Sequence, residues 1–277
     1  MMTPTELKAI LSSRGLAPRH GLGQNFLIDA NLGRKLVDAS GVRGGDLVLE
    51  VGPGAGALTD LLLGCGCRVI AGELDEGLAD LLAERHEREP RFTLIRGDAL
   101  AGKQRLSAAL TAALAGEPFT LVANLPYGVA TPLLMTLLLD WPTCREMWVT
   151  IQKEVADRLA SAPGSREYGG ISVIAQALAE IRTVATLAPA CFWPRPKVTS
   201  AMIGLTRRAE PRTADAHQLE RLCRTLFTRR RKQIGATLRD AMRGRGWPDG
   251  VEPTARAESL TVEQLDTLAQ ITASHDV

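Results

Sequence analysis

Leu47-Val48-Leu49-Glu50-Val51, running straight into Gly52-Pro53-Gly54-Ala55-Gly56-Ala57, constrains this chain more than any other stretch. An apolar run of that length bounded by turn residues suits a strand covered on both faces. The glycines then let the backbone turn into a helix and approach a nucleotide-like ligand closely. Their spacing satisfies G-x-G-x-x-G/A, so a nicotinamide enzyme and other nucleotide-cofactor enzymes fit it equally. A second strand, about Arg68 to Ala71, leads to Glu73, where a carboxylate accepts hydrogen bonds from both hydroxyls of a ribose. That acid also fits either cofactor. The fold these features predict is α/β, a Rossmann-like sheet.

A third strand, Phe92 to Ile95, ends in Arg96-Gly97-Asp98-Ala99-Leu100. Asp98 there is placed to accept from the exocyclic amine of a cofactor adenine; the plainer reading is local backbone capping in a turn. A fourth, Phe119 to Ala123, delivers Asn124-Leu125-Pro126-Tyr127 at its carboxyl end, where open α/β sheets hold their ligands. An adenine amine is a poor nucleophile because its lone pair is delocalised into the ring, so a catalyst must hold its protons with acceptors. Asn124 offers a side-chain oxygen and Leu125 a backbone carbonyl that Pro126 biases outward through its effect on the preceding residue. Tyr127 supplies a flat face for an extruded base, a contact of roughly 1–3 kcal/mol in nucleic-acid binders. Alone, the tetrapeptide divides evenly between this clamp and an ordinary turn.

Before the glycine turn, Thr5 to Ser13 has helical spacing, and Asp29 caps a helix from about Asn31 to Ala39. Between them, Gly21-Leu22-Gly23-Gln24-Asn25-Phe26-Leu27 fits either a mobile arm lying over a ligand or a solvated tail with a hydrophobic anchor. The residues alone favour the tail. After the tetrapeptide, the pattern gives a helix from Pro132 to Leu139 and a fifth strand from Met147 to Ile151. Helices at 152–159 and up to Leu178 follow, then strands at 181–188 and 198–205. The loop between those two strands, Phe192-Trp193-Pro194-Arg195-Pro196-Lys197, has the groups to hold the second face of a flipped base and grip a phosphate. Phe192 is the residue expected to stack; the role of Trp193 stays open.

From residue 207 the composition shifts. Arg221, Arg224, Arg229, Arg230, Arg231 and Lys232 crowd a helical stretch with few acids, over Leu219, Leu222 and Leu226 at helical spacing. Such a face suits a phosphate backbone, although a solvated face is the commoner meaning of a charge run. The division expected is residues 1–206 as the catalytic domain with its arm and 207–277 as a helical, basic RNA-binding domain. A net charge of +2 says nothing of partners by itself. No apolar run reaches signal-peptide or membrane-spanning length, so a cytoplasmic protein with no membrane partner is the expectation. The five cysteines have no histidine at metal-ligand spacing, and reduced packing thiols with no metal are expected. No interface stripe points beyond a monomer.

Taken in order, these motifs resemble the bacterial small-subunit rRNA adenine dimethyltransferases, whose relatives include the macrolide-resistance rRNA methylases. The likeness runs from Gly23-Gln24-Asn25-Phe26-Leu27 through Glu50-Val51-Gly52-Pro53-Gly54, Gly97-Asp98-Ala99 and Asn124-Leu125-Pro126-Tyr127 to Phe192 and Pro196-Lys197-Val198. It continues through Arg229-Arg230-Arg231-Lys232 to Arg256-Ala257-Glu258-Ser259-Leu260. The resemblance implies a class I methyltransferase sheet of seven strands, the last antiparallel, with a small all-α carboxyl-terminal domain. It implies S-adenosylmethionine as cofactor, held by Asn25, Leu27, Gly52, Gly54, Glu73, Leu74, Asp98, Ala99 and Asn124. The substrate implied is two adjacent adenines in a terminal hairpin loop of small-subunit rRNA, inside an assembling 30S particle. Catalysis would fall to Asn124, Leu125, Pro126, Tyr127 and Phe192, and RNA contacts to the cations above with Lys197. Where the family often has a third proline and an aspartate in the Phe192 loop, this chain has Arg195 and Thr199. The other readings are a resistance-type large-subunit methylase, an RNA-binding assembly factor and a nicotinamide oxidoreductase, for which nothing downstream supplies a hydride-transfer site.

Overall fold

A computed structural model of the chain describes residues 3–102 and 105–273. Helix α1 (Pro4–Ser13) is followed by a two-residue strand β1 (Phe26–Leu27) and helix α2 (Ala30–Ser40). Strands and helices then alternate as β2 (Leu47–Val51), α3 (Ala57–Gly64), β3 (Arg68–Glu73), α4 (Glu76–Arg85), β4 (Phe92–Arg96), α5 (Ala108–Leu114), β5 (Phe119–Asn124), α6 (Tyr127–Asp140) and β6 (Cys144–Gln152). The remainder runs α7 (Lys153–Ala160), α8 (Gly170–Leu178), β7 (Ala179–Leu187), β8 (Phe192–Trp193), β9 (Ser200–Arg207), α9 (Ala216–Thr228), α10 (Ile234–Thr237) and α11 (Val262–Ala273).

The main sheet has the order β4-β3-β2-β5-β6-β9-β7. Strands β2 to β6 pair in parallel and β9 lies antiparallel on β6. Because the chain steps outward from β2 to β3 and β4 on one side and to β5 and β6 on the other, a crevice opens between β2 and β5 at their carboxyl ends. Every residue of β2 is buried, Glu50 included, as a strand covered on both faces requires. Asp29 caps α2 as its position predicts, accepting from the N–H groups of Asn31 and Leu32 at 2.9 and 3.2 Å.

Three elements differ from their sequence patterns. Helix α6 begins at Tyr127, well before Pro132, which sits inside it. Pro126 already occupies the helix cap, and Pro132 has no N–H to give the carbonyl of Gly128, four residues earlier. Arg229 to Lys232 are not helical: α9 stops at Thr228, and Lys232 N–H closes a turn onto Arg229 O at 2.8 Å.

The third difference is the division of the chain. It forms two compact units, Met1–Glu154 with Arg182–Thr206, and Val155–Ile181 with Arg207–Val277. A single break at 206/207 therefore misplaces 155–181. The apolar side of α8 packs against α9 and α11 within the second unit, and Tyr168 meets Phe227 edge-on, ring centroids 6.1 Å apart. Among the described residues, no helix is long and apolar enough to cross a membrane.

Candidate active site

A cavity of about 530 Å³ opens in the first unit where β2, β3, β4 and β5 end. The strand-end rule thus brings together residues far apart in sequence: Gly52, Gly54, Glu73, Leu74, Asp98, Ala99, Asn124, Leu125, Pro126 and Tyr127 all line it. Gly52 and Gly54 have φ of 69° and 60°, a region that costs other residues strain. Space restricts them further. A Cβ on Gly52 would stand 3.0 Å from the Pro126 ring, and one on Gly54 would stand 2.9 Å from the Phe26 ring. The turn is pressed between the start of the Asn124 motif and the amino-terminal segment, and only a bare backbone fits there.

Glu73 is 5% exposed. Its carboxylate accepts from Gly54 N–H at 3.0 Å and Asp75 N–H at 2.9 Å, which fixes it at the cavity wall while each oxygen retains a second lone pair. Burial pushes its pKa up, against the pull of those two N–H groups. Asp98 accepts from Leu100 N–H at 2.9 Å, the local cap expected of an aspartate in a turn, and lines the cavity as well.

Glu50, which sequence reasoning did not assign to the site, also lines the cavity. It accepts from Thr59 Oγ1 at 2.7 Å, and burial raises its pKa to about 8. The folded chain therefore holds this proton up to about pH 8, whereas the unfolded chain releases it near the ordinary value of 4.5. Between those limits the unfolded state binds fewer protons, so this group's contribution to stability falls as pH rises. Glu50→Gln is expected to flatten the decline in melting temperature between about pH 5 and pH 8; parallel wild-type and variant curves would show that Glu50 is ionised in the folded chain.

The amino-terminal segment is an arm, contrary to the solvated tail that its residues alone favour. Gly23, Gln24, Asn25, Phe26 and Leu27 line the cavity. Gln24 Nε2 donates to Asp75 at 3.2 Å, and Arg19 lies 3.2 Å from the same carboxylate. Leu7, Leu11, Leu16 and Phe26 pack with Ala55, Leu78 and Leu81. Sequence spacing cannot reveal this, because the anchoring partners lie in the glycine turn, α4 and the Phe192 loop.

Asn124 Nδ2 donates to Asn25 O at 2.9 Å. That bond commits the nitrogen end of the amide to the arm and leaves Oδ1 as its acceptor. Tyr127 has its hydroxyl 3.0 Å from Ser200 Oγ, which is fully buried at the start of β9, and burial raises the phenol's pKa. Ser200 is a further residue that sequence reading passed over. Its only signal is its place after Pro196-Lys197-Val198.

Phe192 is the one expected catalytic residue that the structure keeps apart from the cavity. It is 2% exposed, packs with Leu27, Leu187 and Met202, and is absent from the cavity wall. The reason is a pairing of two short strands, β1 on β8, which sets Leu27 opposite Phe192 and Phe26 opposite Trp193. Trp193, left open by the sequence, stacks on Phe26 at 6.2 Å with Lys8 Nζ 5.4 Å over its ring. Lys197 is exposed in the same loop.

In the second unit Arg221 and Arg224 are exposed on α9, and Arg229, Arg231 and Lys232 are exposed in the turn after it. Arg230 differs: its guanidinium is held by the Glu258 carboxylate and by Ser165 O. The acid that neutralises it lies too far along the chain for a local charge count to register.

The sheet, with β9 running antiparallel beside β6, has the architecture of the class I methyltransferases. A solved dimethyladenosine transferase from Plasmodium falciparum shares the fold, with a TM-score of 0.69 at 20% identity, covering 88% of this chain and 97% of that one. The solved 23S rRNA methyltransferase ErmE gives a TM-score of 0.62 at 26% identity over 90% of this chain and 100% of its own. The sequence model of the ribosomal RNA adenine dimethylase family matches residues 16–274. The ribosomal RNA small subunit methyltransferase A of Streptomyces avermitilis is 40% identical, over 98% of this chain and 93% of its own. The chain belongs to the ribosomal RNA adenine dimethylase family, and the oxidoreductase reading of its glycine turn is set aside.

Proposed function

We propose that the chain transfers methyl groups from S-adenosylmethionine to the N6 amines of two adjacent adenines in the 3′-terminal hairpin loop of small-subunit rRNA, during assembly of the small subunit in the cytoplasm. The observation that carries this reading is the convergence of Glu73, Asp98, the glycine turn and Asn124 on one cavity. S-adenosylmethionine, when bound, supplies an electrophilic methyl on sulfur. Glu73 would hold its ribose, Asp98 and Ala99 its adenine, Gly52 and Gly54 its amino-acid portion, with Leu74, Asn25 and Leu27 closing around it. A cradle in which any Cβ would strike Phe26 or Pro126 suits a ligand held close to backbone.

Asn124 and the Leu125 carbonyl accept the protons of the target amine and turn its lone pair toward the methyl, while Tyr127 stacks on the base. No general base is required, because the nitrogen becomes strongly acidic as its new bond forms and water takes the proton. Of the two aromatics expected to sandwich the base, Tyr127 lines the cavity. Phe192 would have to leave its packing against Leu27 to do so. Titration with S-adenosylhomocysteine in a calorimeter is expected to give one site per chain; no heat of binding would overturn the cofactor assignment.

Arg221, Arg224, Arg229, Arg231 and Lys232, with Lys197, are proposed to bind the phosphates, and Arg230 is assigned instead to its bond with Glu258. Replacing Arg221, Arg224 and Arg231 together by alanine should weaken binding to small subunits and lower the salt-dependence slope by about 1 for each phosphate that is no longer neutralised. Affinity for S-adenosylhomocysteine should not change. An unaltered slope would remove this surface from the RNA interface.

A further inference from the structure

One side of the glycine turn faces the cavity; the other is gripped by a side chain that never reaches it. Arg85, at the end of α4, donates through Nη1 to the carbonyl of Ala55, the residue between Gly54 and Gly56. Its Nη2 donates to both oxygens of Asp60 in the first turn of α3, at 3.0 and 2.8 Å. His86 closes the group, with Nε2 3.6 Å from Asp60 and its ring packed on Phe92 at a centroid distance of 4.7 Å. The fit around the turn is tight: a Cβ on Gly56 would stand 3.0 Å from Leu82 and 3.2 Å from the Arg85 guanidinium.

The opposite end of α4 carries the other half of the cavity wall. Asp75 caps α4 by accepting from Leu78 N–H at 3.1 Å, and its own N–H donates to Glu73. A single short helix therefore spans from the acid proposed for the ribose to the turn proposed for the amino-acid portion. A planar guanidinium is the side chain suited to hold a carbonyl and a carboxylate at fixed separation, since its donors form a rigid fork.

We propose that Arg85, braced by Asp60, is a positioning residue for the cofactor: by fixing the Ala55 carbonyl it holds the glycine turn at the spacing from Glu73 that the cofactor needs. The inference rests on the cofactor reading above and extends it to residues outside the cavity. Ala55 lines the cavity and Arg85 does not, so the effect must pass through the turn.

The test is calorimetric binding of S-adenosylhomocysteine to the wild-type chain, Arg85→Met, Arg85→Lys and Asp60→Asn, each checked for folding by circular dichroism. Arg85→Met should weaken binding about tenfold, the size expected for the loss of the one charge-assisted hydrogen bond that reaches the turn, to the Ala55 carbonyl. The Michaelis constant for S-adenosylmethionine should rise in step, with the turnover number and small-subunit affinity little changed. Arg85→Lys, which reaches the carbonyl or the carboxylate but not both, should recover part of the loss. If Arg85→Met does not fold, Asp60→Asn, which keeps the bond to Ala55 and removes the charge, should still weaken binding measurably. Folded variants that bind within about twofold of wild type, or whose RNA affinity falls to the same extent, would reduce Arg85 to a stabilising role. A wild-type chain that fails to bind contradicts the cofactor reading itself; variants that bind like wild type contradict only this assignment.

Discussion

Asn124→Ala is expected to lower methyl transfer by about 10²–10³-fold, the usual loss when a group that stabilises the reacting geometry is removed. Two bonds disappear together. The acceptor proposed for the target amine goes, and so does the 2.9 Å bond by which Nδ2 holds Asn25 O on the arm. A single net hydrogen bond is worth about 1 kcal/mol, so affinity for S-adenosylhomocysteine should fall by no more than about tenfold while turnover falls much further. Asn124→Asp separates the contributions, because it keeps an acceptor oxygen but sets a carboxylate against the Asn25 carbonyl with nothing to donate. Single-turnover rates beside calorimetric affinities check both variants, and unchanged turnover in Asn124→Ala would end the assignment of the clamp.

Gly52→Ala should act on the same centre from its other side. With φ at 69° the new side chain costs about 1–2 kcal/mol of backbone strain. Its Cβ would also stand 3.0 and 3.1 Å from two carbons of the Pro126 ring. Pro126 must then give way, and Asn124 and Tyr127 move with it. The expected result is a melting temperature lower by about 2–8 °C together with more than about tenfold weaker S-adenosylhomocysteine binding. Gly41→Ala is the control. Its φ of 64° carries similar strain, but nothing lies within 4 Å of the added carbon, so it should lower the melting temperature without touching cofactor affinity. Equal affinity losses in the two variants would place the effect in global stability.

What was legible in the sequence follows from how local the signals are. Gly52, Gly54, Glu73, Asp98 and Asn124 each stand at the end of an apolar run, and a parallel sheet delivers strand ends to one edge, so chain order alone gathers them. Pairings between distant segments left no such trace. Strands β1 and β8 have two residues each, too short for any periodicity, yet they bury Phe192 and stack Trp193 on Phe26. Glu258 neutralises Arg230 from the far end of the second unit. The stretch 155–181 reads as a continuation of the first domain because the chain passes directly from β6 into α7, but its apolar residues are complementary to α9 and α11. Pro132 misleads for a different reason: a proline marks a helix start only where no earlier proline has taken that place.

The most direct test is transfer of labelled methyl from S-adenosylmethionine to small ribosomal subunits that lack dimethyladenosine, with large subunits in parallel and nucleoside analysis of the RNA. N6,N6-dimethyladenosine in the 3′-terminal hairpin loop of the small-subunit RNA, with large subunits unlabelled, is the result predicted. Label on large-subunit adenine, or small subunits bound tightly and left unmethylated, would contradict it.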